Sequence, residues 1–298
     1  MKKSIAAALL VLALIVAGGF FNRERLWLSF LGAKTEKRTL AGQEALIAPF
    51  LNVFTPTGGE APYPVVVQVH GCAGYRDSFM AQWAKVANDL GFLVVGVDST
   101  GPRGIGHDEA LSSVCAGKRL IGQERAGDVA AALDLVAARD DVDPARIVAA
   151  GWSHGAWSLM DYLSLSGAGL APAALKGDSA PTDLAGVILF YPYCGKGSWA
   201  RVEPWKTAAT VIAFVGGKDS VVNGPECKAR LETLIRKGAS IDLIYYPEAD
   251  HVFDDATLIG GEYEYFYGGE AHVDSAKRYA AFLQGIKSSV GDASSARQ

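Results

Sequence analysis

Ser153 lies in the run Gly151-Trp152-Ser153-His154-Gly155, with one glycine two positions before it and another two positions after it. The apolar residues 147–150 precede this run and predict a buried strand, and residues 156–160 predict the start of a helix. A serine on a sharp turn between a strand and a helix presents its hydroxyl at the helix N-terminus, where partial positive charge favours developing negative charge. The pattern therefore predicts that Ser153 is a nucleophile.

A serine hydroxyl needs a base that takes its proton, and in this type of turn the order along the chain is serine, acid, histidine. Three of the five histidines precede or adjoin Ser153, which leaves His251 and His272. His251 follows the predicted strand 241–246, so its ring can reach the upper edge of a sheet, whereas His272 opens a predicted final helix and suits a surface position. We predict that His251 is the base.

Asp219 is the predicted acid, because it follows the apolar residues 211–215 and two glycines, at the end of the strand before the one that carries His251. The competing aspartates are Asp183, Asp250, Asp254 and Asp255. Asp183 lies before a predicted strand, and the other three would have to fold back onto His251. The acidic residues around His251 lack a second histidine and a known ligand spacing, so no metal and no cofactor are predicted.

Two backbone amides are predicted to bind the oxyanion of a tetrahedral intermediate. One belongs to His154, the residue after the nucleophile, and the other to Cys72, in the loop His70-Gly71-Cys72-Ala73-Gly74 that follows the apolar residues 65–69. Cys72 itself is not predicted to be a nucleophile, because no base is arranged for it. The prediction concerns its N–H group.

These residues must be positioned by a sheet, and short apolar or β-branched runs do alternate with helical patterns along the chain. The predicted strands are residues 46–54, 65–69, 92–97, 147–150, 184–190, 211–215 and 241–246. The predicted helices are residues 78–90, 124–139, 156–165, 225–237 and 274–286. The alternation predicts an α/β fold with a doubly wound, mostly parallel sheet and helices on both faces, in which ligands bind beyond the carboxyl ends of the strands.

The N-terminus has the features of an export signal. Lys2-Lys3 precede the apolar residues 5–21, and polar residues follow. A cleaved signal peptide and an uncleaved anchor are both compatible with a run of this length that lacks a clear cleavage site. We predict the following division of the chain: residues 1–21, a signal peptide or signal anchor; residues 22–44, a linker; residues 45–287, one α/β domain; residues 288–298, a flexible tail.

Four cysteines also fit an exported protein, because an even number can pair in an oxidising compartment. Three pairings are open from the sequence alone, and four free thiols are a further alternative. Cys72 and Cys115 follow two adjacent predicted strands, and Cys194 and Cys227 follow another adjacent pair, so we predict the disulfides Cys72–Cys115 and Cys194–Cys227. The expected location is the periplasm or the outside of the cell, with residues 5–21 as the candidate membrane tether.

The formal net charge of −4, without a stripe of basic and aromatic residues, argues against nucleic acid as a partner. The expected partner is a small ester, and the oligomeric state is left open. The segments 165–184 and 195–207 are candidates for the pocket wall, with Trp199 and Trp205 as apolar surfaces or as core residues. Arg103 could meet an anionic substrate group or brace its own loop.

Four motifs together resemble the dienelactone hydrolase-like branch of the α/β-hydrolases, over roughly residues 65–282. They are His70-Gly71-Cys72-Ala73-Gly74, Gly151-Trp152-Ser153-His154-Gly155, Gly217-Lys218-Asp219 and Ala249-Asp250-His251-Val252-Phe253. The resemblance implies a serine hydrolase of carboxylic esters or lactones. The namesake enzymes use a cysteine nucleophile and a pair of arginines, whereas this chain has Ser153 and no arginine closely after His251, which points away from dienelactone as the substrate.

Two alternatives to an esterase follow from the same residues. A peptidase or amidase could use the same chemistry, although such enzymes usually need an added domain for which this chain has little spare length. A non-catalytic binding protein of the cell envelope could have kept the fold, but then a degraded set of catalytic residues would be expected. Ser153, Asp219 and His251 are all present in the expected order.

Overall fold

A seven-stranded sheet forms the centre of the protein, whose computed structural model describes residues 23–177 and 181–295, with side chains as far as residue 288. The strands are β1 (Leu51–Phe54), β2 (Tyr63–Val69), β3 (Leu93–Val97), β4 (Val142–Trp152), β5 (Gly186–Phe190), β6 (Thr210–Gly216) and β7 (Ile241–Tyr246). Their order across the sheet is β1-β3-β2-β4-β5-β6-β7, with β1 antiparallel to β3 and every other pair parallel. The predicted doubly wound α/β fold is confirmed.

Eight helices surround the sheet in the described part of the chain. They are α1 (residues 23–33), α2 (Leu40–Ile47), α3 (Asp77–Asn88), the single turn α4 (His107–Glu109), α5 (Gly122–Ala137), α6 (His154–Gly167), α7 (Gly224–Arg236) and α8 (Gly269–Ser295). Because side chains alternate along a strand, β2 contributes Val65 and Val67 to one apolar cluster and Val66 to another. The first cluster contains core residues of α1, α2, α5, α6 and α7, and the second contains those of α3 and α8, so both faces of the sheet are covered.

The segment before β1 differs from its prediction. Residues 46–54 were predicted to be one strand, but α2 continues to Ile47, and only Leu51–Phe54 pair with β3. The hydroxyl of Thr39 caps α2 by accepting from the amide of Gly42, and Ile47 is fully buried. A short apolar run is compatible with either a strand or a helix end, and burial of Ile47 against the core favours the helix here.

Residues 22–44 were predicted to be a linker, but residues 23–33 and Leu40–Ile47 are helical and pack on the domain. Leu28 is fully buried, and its carbonyl accepts a hydrogen bond of 2.9 Å from the side chain of Gln123 on α5. At the other end of the chain, α8 includes residues 288–295, for which a flexible tail was predicted. The predicted signal segment, residues 1–21, lies outside the described residues.

The two predicted disulfides, Cys72–Cys115 and Cys194–Cys227, are confirmed. They close separations of 43 and 33 residues, and each is worth about 4 kcal/mol if the loss of loop entropy in the unfolded chain is its main effect. Two such bonds are typical of an exported protein. Within residues 23–177 and 181–295, no helix is long and apolar enough to cross a membrane.

The turn between β4 and α6 lies against the end of β2. A Cβ atom at Gly155 would lie 2.0 Å from the carbonyl oxygen of Val69, and a Cβ atom at Gly151 would lie 2.7 Å from the amide nitrogen of Ala156. Neither neighbour is the end of a flexible side chain, so the turn can form only with glycine at both positions. This packing explains the spacing of the glycines around Ser153.

We expect Gly155→Ala to destabilise the protein by about 3 kcal/mol or more, because backbone of β4, α6 or β2 must move to admit the methyl group. Gly285→Ala is the matched control, because Gly285 is exposed on α8 and a Cβ atom there meets nothing within 4 Å. The control should gain up to about 1 kcal/mol from helix propensity. Urea unfolding of both variants measures the difference, and equal stabilities would contradict the close packing at Gly155.

Candidate functional site

Ser153 lies at the junction of β4 and α6, in a left-handed backbone conformation with φ of 53° and ψ of −113°. Its amide donates to the carbonyl of Phe190 at the end of β5, at 2.9 Å. A non-glycine residue in this region costs about 1–3 kcal/mol and is found where the surrounding structure enforces it. Tyr191 and Val252 also have positive φ values, so three such residues lie at the carboxyl edge of this sheet.

Ser153, His251 and Asp219 form a continuous hydrogen-bonded series. The Nε2 atom of His251 lies 2.9 Å from the Oγ of Ser153, and its Nδ1 atom lies 2.8 Å from the Oδ2 of Asp219. All three residues are buried. The other carboxylate oxygen of Asp219 accepts from the amides of Val221 and Val222, both at 2.9 Å, which fixes the orientation of the carboxylate toward the imidazole.

The competing aspartates have other partners. One carboxylate oxygen of Asp250 accepts from the amides of Ser220 and His251, both at 2.7 Å, and so joins the loops after β6 and β7. Asp255 pairs with Arg76, and Asp183 is exposed. His272 contacts Tyr267 and Gln82 rather than Ser153. Within the described ranges, no group of three or more metal-ligating side chains is arranged to hold a metal ion.

A buried neutral histidine holds the loop that contains Cys72. The amide of Ser99 donates to the Nε2 of His70 at 3.1 Å, so the ring proton is on Nδ1, which donates to the carbonyl of Gly71 at 2.6 Å. Burial, followed by the nearby charge of Arg125, lowers the pKa of His70 well below its usual value. His70 therefore stays neutral, and the loop passes beside Ser153.

Arg125 is a buried cation directly behind the residue that follows Ser153. Its Nε donates to the hydroxyl of Ser99 at 2.9 Å, and its Nη1 lies 3.4 Å from the Nδ1 of His154. Burial lowers the pKa of Arg125 to about 10, so the side chain is charged at neutral pH, and burial together with this charge lowers the pKa of His154. Sequence patterns alone did not indicate Arg125, because its significance comes from burial beside His154.

Asp254 joins three elements beneath the candidate site. It accepts from the indole N–H of Trp152 at 2.9 Å and from the hydroxyl of Tyr191 at 2.7 Å, and its carbonyl accepts from Gln82 of α3. Trp152 precedes Ser153, and the ring of Tyr191 lies 4.6 Å from the ring of His251, centroid to centroid. The carboxylate therefore supports the positions of both residues, although the sequence indicated it only as a rival acid.

A pocket of about 350 Å³ opens beside Ser153. Its lining residues are Trp27, Leu31, Cys72, Cys115, Ala116, Gly117, Ile121, Ser153, His154, Trp157, Tyr193, Lys196, Gly197, Val221 and Val222. The lining is mostly apolar and aromatic, with Lys196 as its charged side chain. Part of segment 195–207 lines the pocket as predicted, but the described part of segment 165–184 does not.

Trp199 and Trp205 are core residues instead of pocket walls. Their indole groups donate to Gln123 and Ser164, and both side chains are buried. Arg103 braces its own loop, because it pairs with the buried Asp128 at 2.9 Å and donates to the carbonyl of Ser99. Trp27 and Leu31 of α1 form a pocket wall that the sequence did not indicate.

Because burial raises the pKa of Asp254 to about 7, against 3.8 in the unfolded chain, we expect its contribution to stability to fall as pH rises from about 4 to 7. In this window the folded protein holds a proton that the unfolded chain has lost. The difference in the free energy of unfolding between the wild type and Asp254→Asn should fall by at most about 1.4 kcal/mol per pH unit. Urea unfolding at several pH values measures it.

Asp274→Asn provides the control with the opposite sign. The hydrogen bond from Arg278 lowers the pKa of Asp274, so the contribution of this carboxylate is lost as pH falls. A difference between wild type and Asp254→Asn that is constant from pH 4 to pH 7 would show that Asp254 keeps an ordinary pKa in the folded protein.

The sequence and the fold of this chain resemble those of known proteins. Residues 51–286 match the sequence model of the dienelactone hydrolase family. A curated Colletotrichum graminicola protein named Probable dipeptidyl-aminopeptidase B is 34% identical over 107 residues. That match covers 35% of this chain, and the chain spans only 11% of the length of the fungal protein.

Solved structures with the same fold include three hydrolases. Esterase 2 of Thermogutta terrifontis has a TM-score of 0.59 and 18% identity, and the match covers 79% of this chain and 89% of that one. A carboxylesterase of Lactobacillus plantarum has a TM-score of 0.59 and 13% identity, with 79% of this chain and 93% of that one covered. A dienelactone hydrolase-like promiscuous phosphotriesterase from metagenomic libraries has a TM-score of 0.57 and 19% identity, with 79% of this chain and 98% of that one covered. At these identities the likeness shows the fold. Together with the family match over most of its length, it shows that this chain belongs to the dienelactone hydrolase family.

Proposed function

We propose that this protein is a serine esterase that cleaves carboxylic esters or lactones through an acyl-enzyme intermediate. As a member of the dienelactone hydrolase family, it is a hydrolase that acts on ester bonds. The observation that supports the serine mechanism is the series of hydrogen bonds from Ser153 through His251 to Asp219. The bond between Ser153 and His251 has a length that suits proton transfer, and the bond between His251 and Asp219 has a length that suits orientation of the imidazole.

In the first half-reaction, the Oγ of Ser153 attacks the carbonyl carbon of the ester while the Nε2 of His251 takes the hydroxyl proton. The tetrahedral intermediate then collapses, the bond to the alcohol oxygen breaks, and the imidazolium gives its proton to the departing alcohol. Asp219 accepts from the Nδ1–H of His251 throughout, which keeps the lone pair of Nε2 directed at Ser153 and stabilises the imidazolium.

In the second half-reaction, His251 takes a proton from water, the resulting hydroxyl attacks the acyl carbon, and the free acid leaves as Ser153 regains its proton. The oxyanion of each intermediate accepts from the amides of Cys72 and His154, which line the same pocket as Ser153. His154 is the first residue of α6, so its amide has no carbonyl partner within that helix and can donate to the oxyanion. Each donor can contribute about 3 kcal/mol to the transition state.

The pocket favours an ester with apolar groups. Its walls include Trp27, Trp157 and Tyr193, and no carboxylate is among its lining residues. The ammonium group of Lys196 can donate to neutral or anionic groups of a substrate, and it repels cations. A short or medium apolar acyl group next to Ser153 fits a volume of about 350 Å³ better than a large polar headgroup would.

An aminopeptidase is the second candidate, because the fungal protein that shares 34% identity over 107 residues is named a dipeptidyl-aminopeptidase. An enzyme of that kind must recognise a free ammonium group, for which a carboxylate is the usual partner. The pocket offers Lys196 instead. Parallel assays with p-nitrophenyl esters and dipeptide p-nitroanilides separate the two candidates, and faster cleavage of the anilides would favour the peptidase.

We infer an exported protein, located in the periplasm or outside the cell, with residues 1–21 as its signal peptide or anchor and residues 45–287 as its hydrolase domain. The two disulfides support export, because they persist in oxidising compartments.

We expect Ser153→Ala to lower kcat for a p-nitrophenyl ester by about 10⁴-fold or more while the circular dichroism spectrum is unchanged, because the acyl-enzyme can no longer form. Asp219→Asn should lower it by about 10⁴-fold, because His251 would lose its oriented tautomer. A fluorophosphonate probe should label the wild type and not Ser153→Ala.

Ser158→Ala is the matched control for both measurements. Ser158 lies one turn later on α6, is fully buried, and donates to the carbonyl of His154. The Ser158→Ala variant should be labelled by the probe and should hydrolyse the ester as fast as the wild type does. Undiminished ester hydrolysis by Ser153→Ala would exclude Ser153 as the nucleophile, and labelling of another serine would redirect the assignment.

A further inference from the structure

Helix α1 is firmly attached to the domain along its inner side. Leu28 is fully buried, Glu24 pairs with Arg201, and Arg25 pairs with Glu203 at 2.8 Å. At Gly32 an added Cβ atom would lie 2.6 Å from the side chain of Gln123, so the helix backbone is in close contact with α5. The orientation of α1 is therefore fixed, and its outer side has a defined position relative to the pocket.

The outer side of α1 presents large apolar side chains to solvent. Leu26 is 69% exposed, Phe30 is 59% exposed and Trp27 is 43% exposed. Leu26 and Phe30 are four residues apart, so they lie on one side of the helix. Arg23 and Lys34 are exposed at its two ends, and the Lys34 ammonium lies 4.5 Å from the centre of the Phe30 ring. Apolar side chains between exposed cations are typical of a helix that lies on a lipid surface.

Two further observations indicate lipid as the occupant of this face. The sequence immediately before α1 is the apolar run of residues 5–21, which directs this end of the domain toward a membrane whenever the run is retained. In addition, Trp27 and Leu31 belong to the wall of the Ser153 pocket, together with Val221, which is 57% exposed. The apolar side of α1 is thus continuous with the mouth of the pocket.

We propose that the outer side of α1 lies on the surface of a lipid bilayer and holds the mouth of the Ser153 pocket against it, so that the ester enters from the lipid phase. The cations at the ends of the helix meet anionic headgroups, while Leu26, Trp27 and Phe30 enter the interface. The lipid contact does not depend on the proposed function, whereas the entry of the ester does.

Trp27 provides a direct probe, because the other five tryptophans are at most 6% exposed. The full-length chain is reconstituted in vesicles of zwitterionic and anionic phospholipid with brominated acyl chains. Bromine should quench part of the tryptophan fluorescence, and Trp27→Phe should remove that part. The double variant Leu26→Ser with Phe30→Ser should lose most of the quenching, whereas Val273→Ser, an exposed apolar position on α8 on the other side of the sheet, should not.

The same proteins are assayed with a fluorogenic ester of medium acyl length, whose fluorophore carries a long alkyl chain that holds it in the bilayer, and with a short, water-soluble ester. The double variant should hydrolyse the bilayer ester about tenfold more slowly than the wild type, from the loss of two apolar side chains at the interface, and the soluble ester at an unchanged rate. Equal rates of wild type and variant on the bilayer ester would overturn entry from the lipid.

Quenching has its own decisive outcomes. If bromolipid leaves Trp27 unquenched, the lipid contact is overturned. Quenching by acrylamide in the aqueous phase would then show that Trp27 faces water, and protection from acrylamide would show that a protein segment or a second copy covers it. If bromolipid quenches Trp27 but neither ester is hydrolysed by the wild type, the lipid contact is supported and the esterase function fails.

Discussion

The structure depends on how closely the turn after β4 approaches its neighbours. Gly155 lies against the carbonyl of Val69 and Gly151 against the amide of Ala156, at distances that leave no room for a side chain. This packing holds Ser153 in a left-handed conformation, with its amide bonded to the end of β5. Because β4 is the central strand, the loops after β2, β5, β6 and β7 can all converge on this one residue.

Polar groups buried under the turn set the electrostatics of the site. The Arg125 cation lies beside His154 and bonds to Ser99, whose amide holds neutral His70. In a region of low dielectric, a fixed positive charge of this kind would favour the negative charge that the proposed mechanism develops at the amides of Cys72 and His154. On the other side, Asp254 ties Trp152 and Tyr191 together, so the residues that flank Ser153 and His251 share one buried carboxylate.

The walls of the pocket come mostly from segments outside the central strands. Trp27 and Leu31 belong to α1, and Cys115 is joined to Cys72 by a disulfide that crosses the pocket wall. The proposed catalytic residues are carried by the sheet, whereas the surfaces that would select an ester are carried by these additions. A shared family therefore says more about the reaction than about the substrate, because segments such as α1 form the wall of the pocket.

Local spacing and chain order determined much of this protein in advance. The glycines around Ser153, the order of Ser153, Asp219 and His251, and the seven-stranded, mostly parallel pattern follow from short runs whose physical demands are local or topological. The cysteine pairing was predicted from the expected adjacency of the strands. The linker prediction for residues 22–44 and the strand prediction for residues 46–54 were wrong, because short apolar or polar runs suit several conformations. Only the tertiary structure decided the conformation of these two segments. It also decided the roles of Arg125 and Asp254, since burial and pairing join residues that are far apart in the chain.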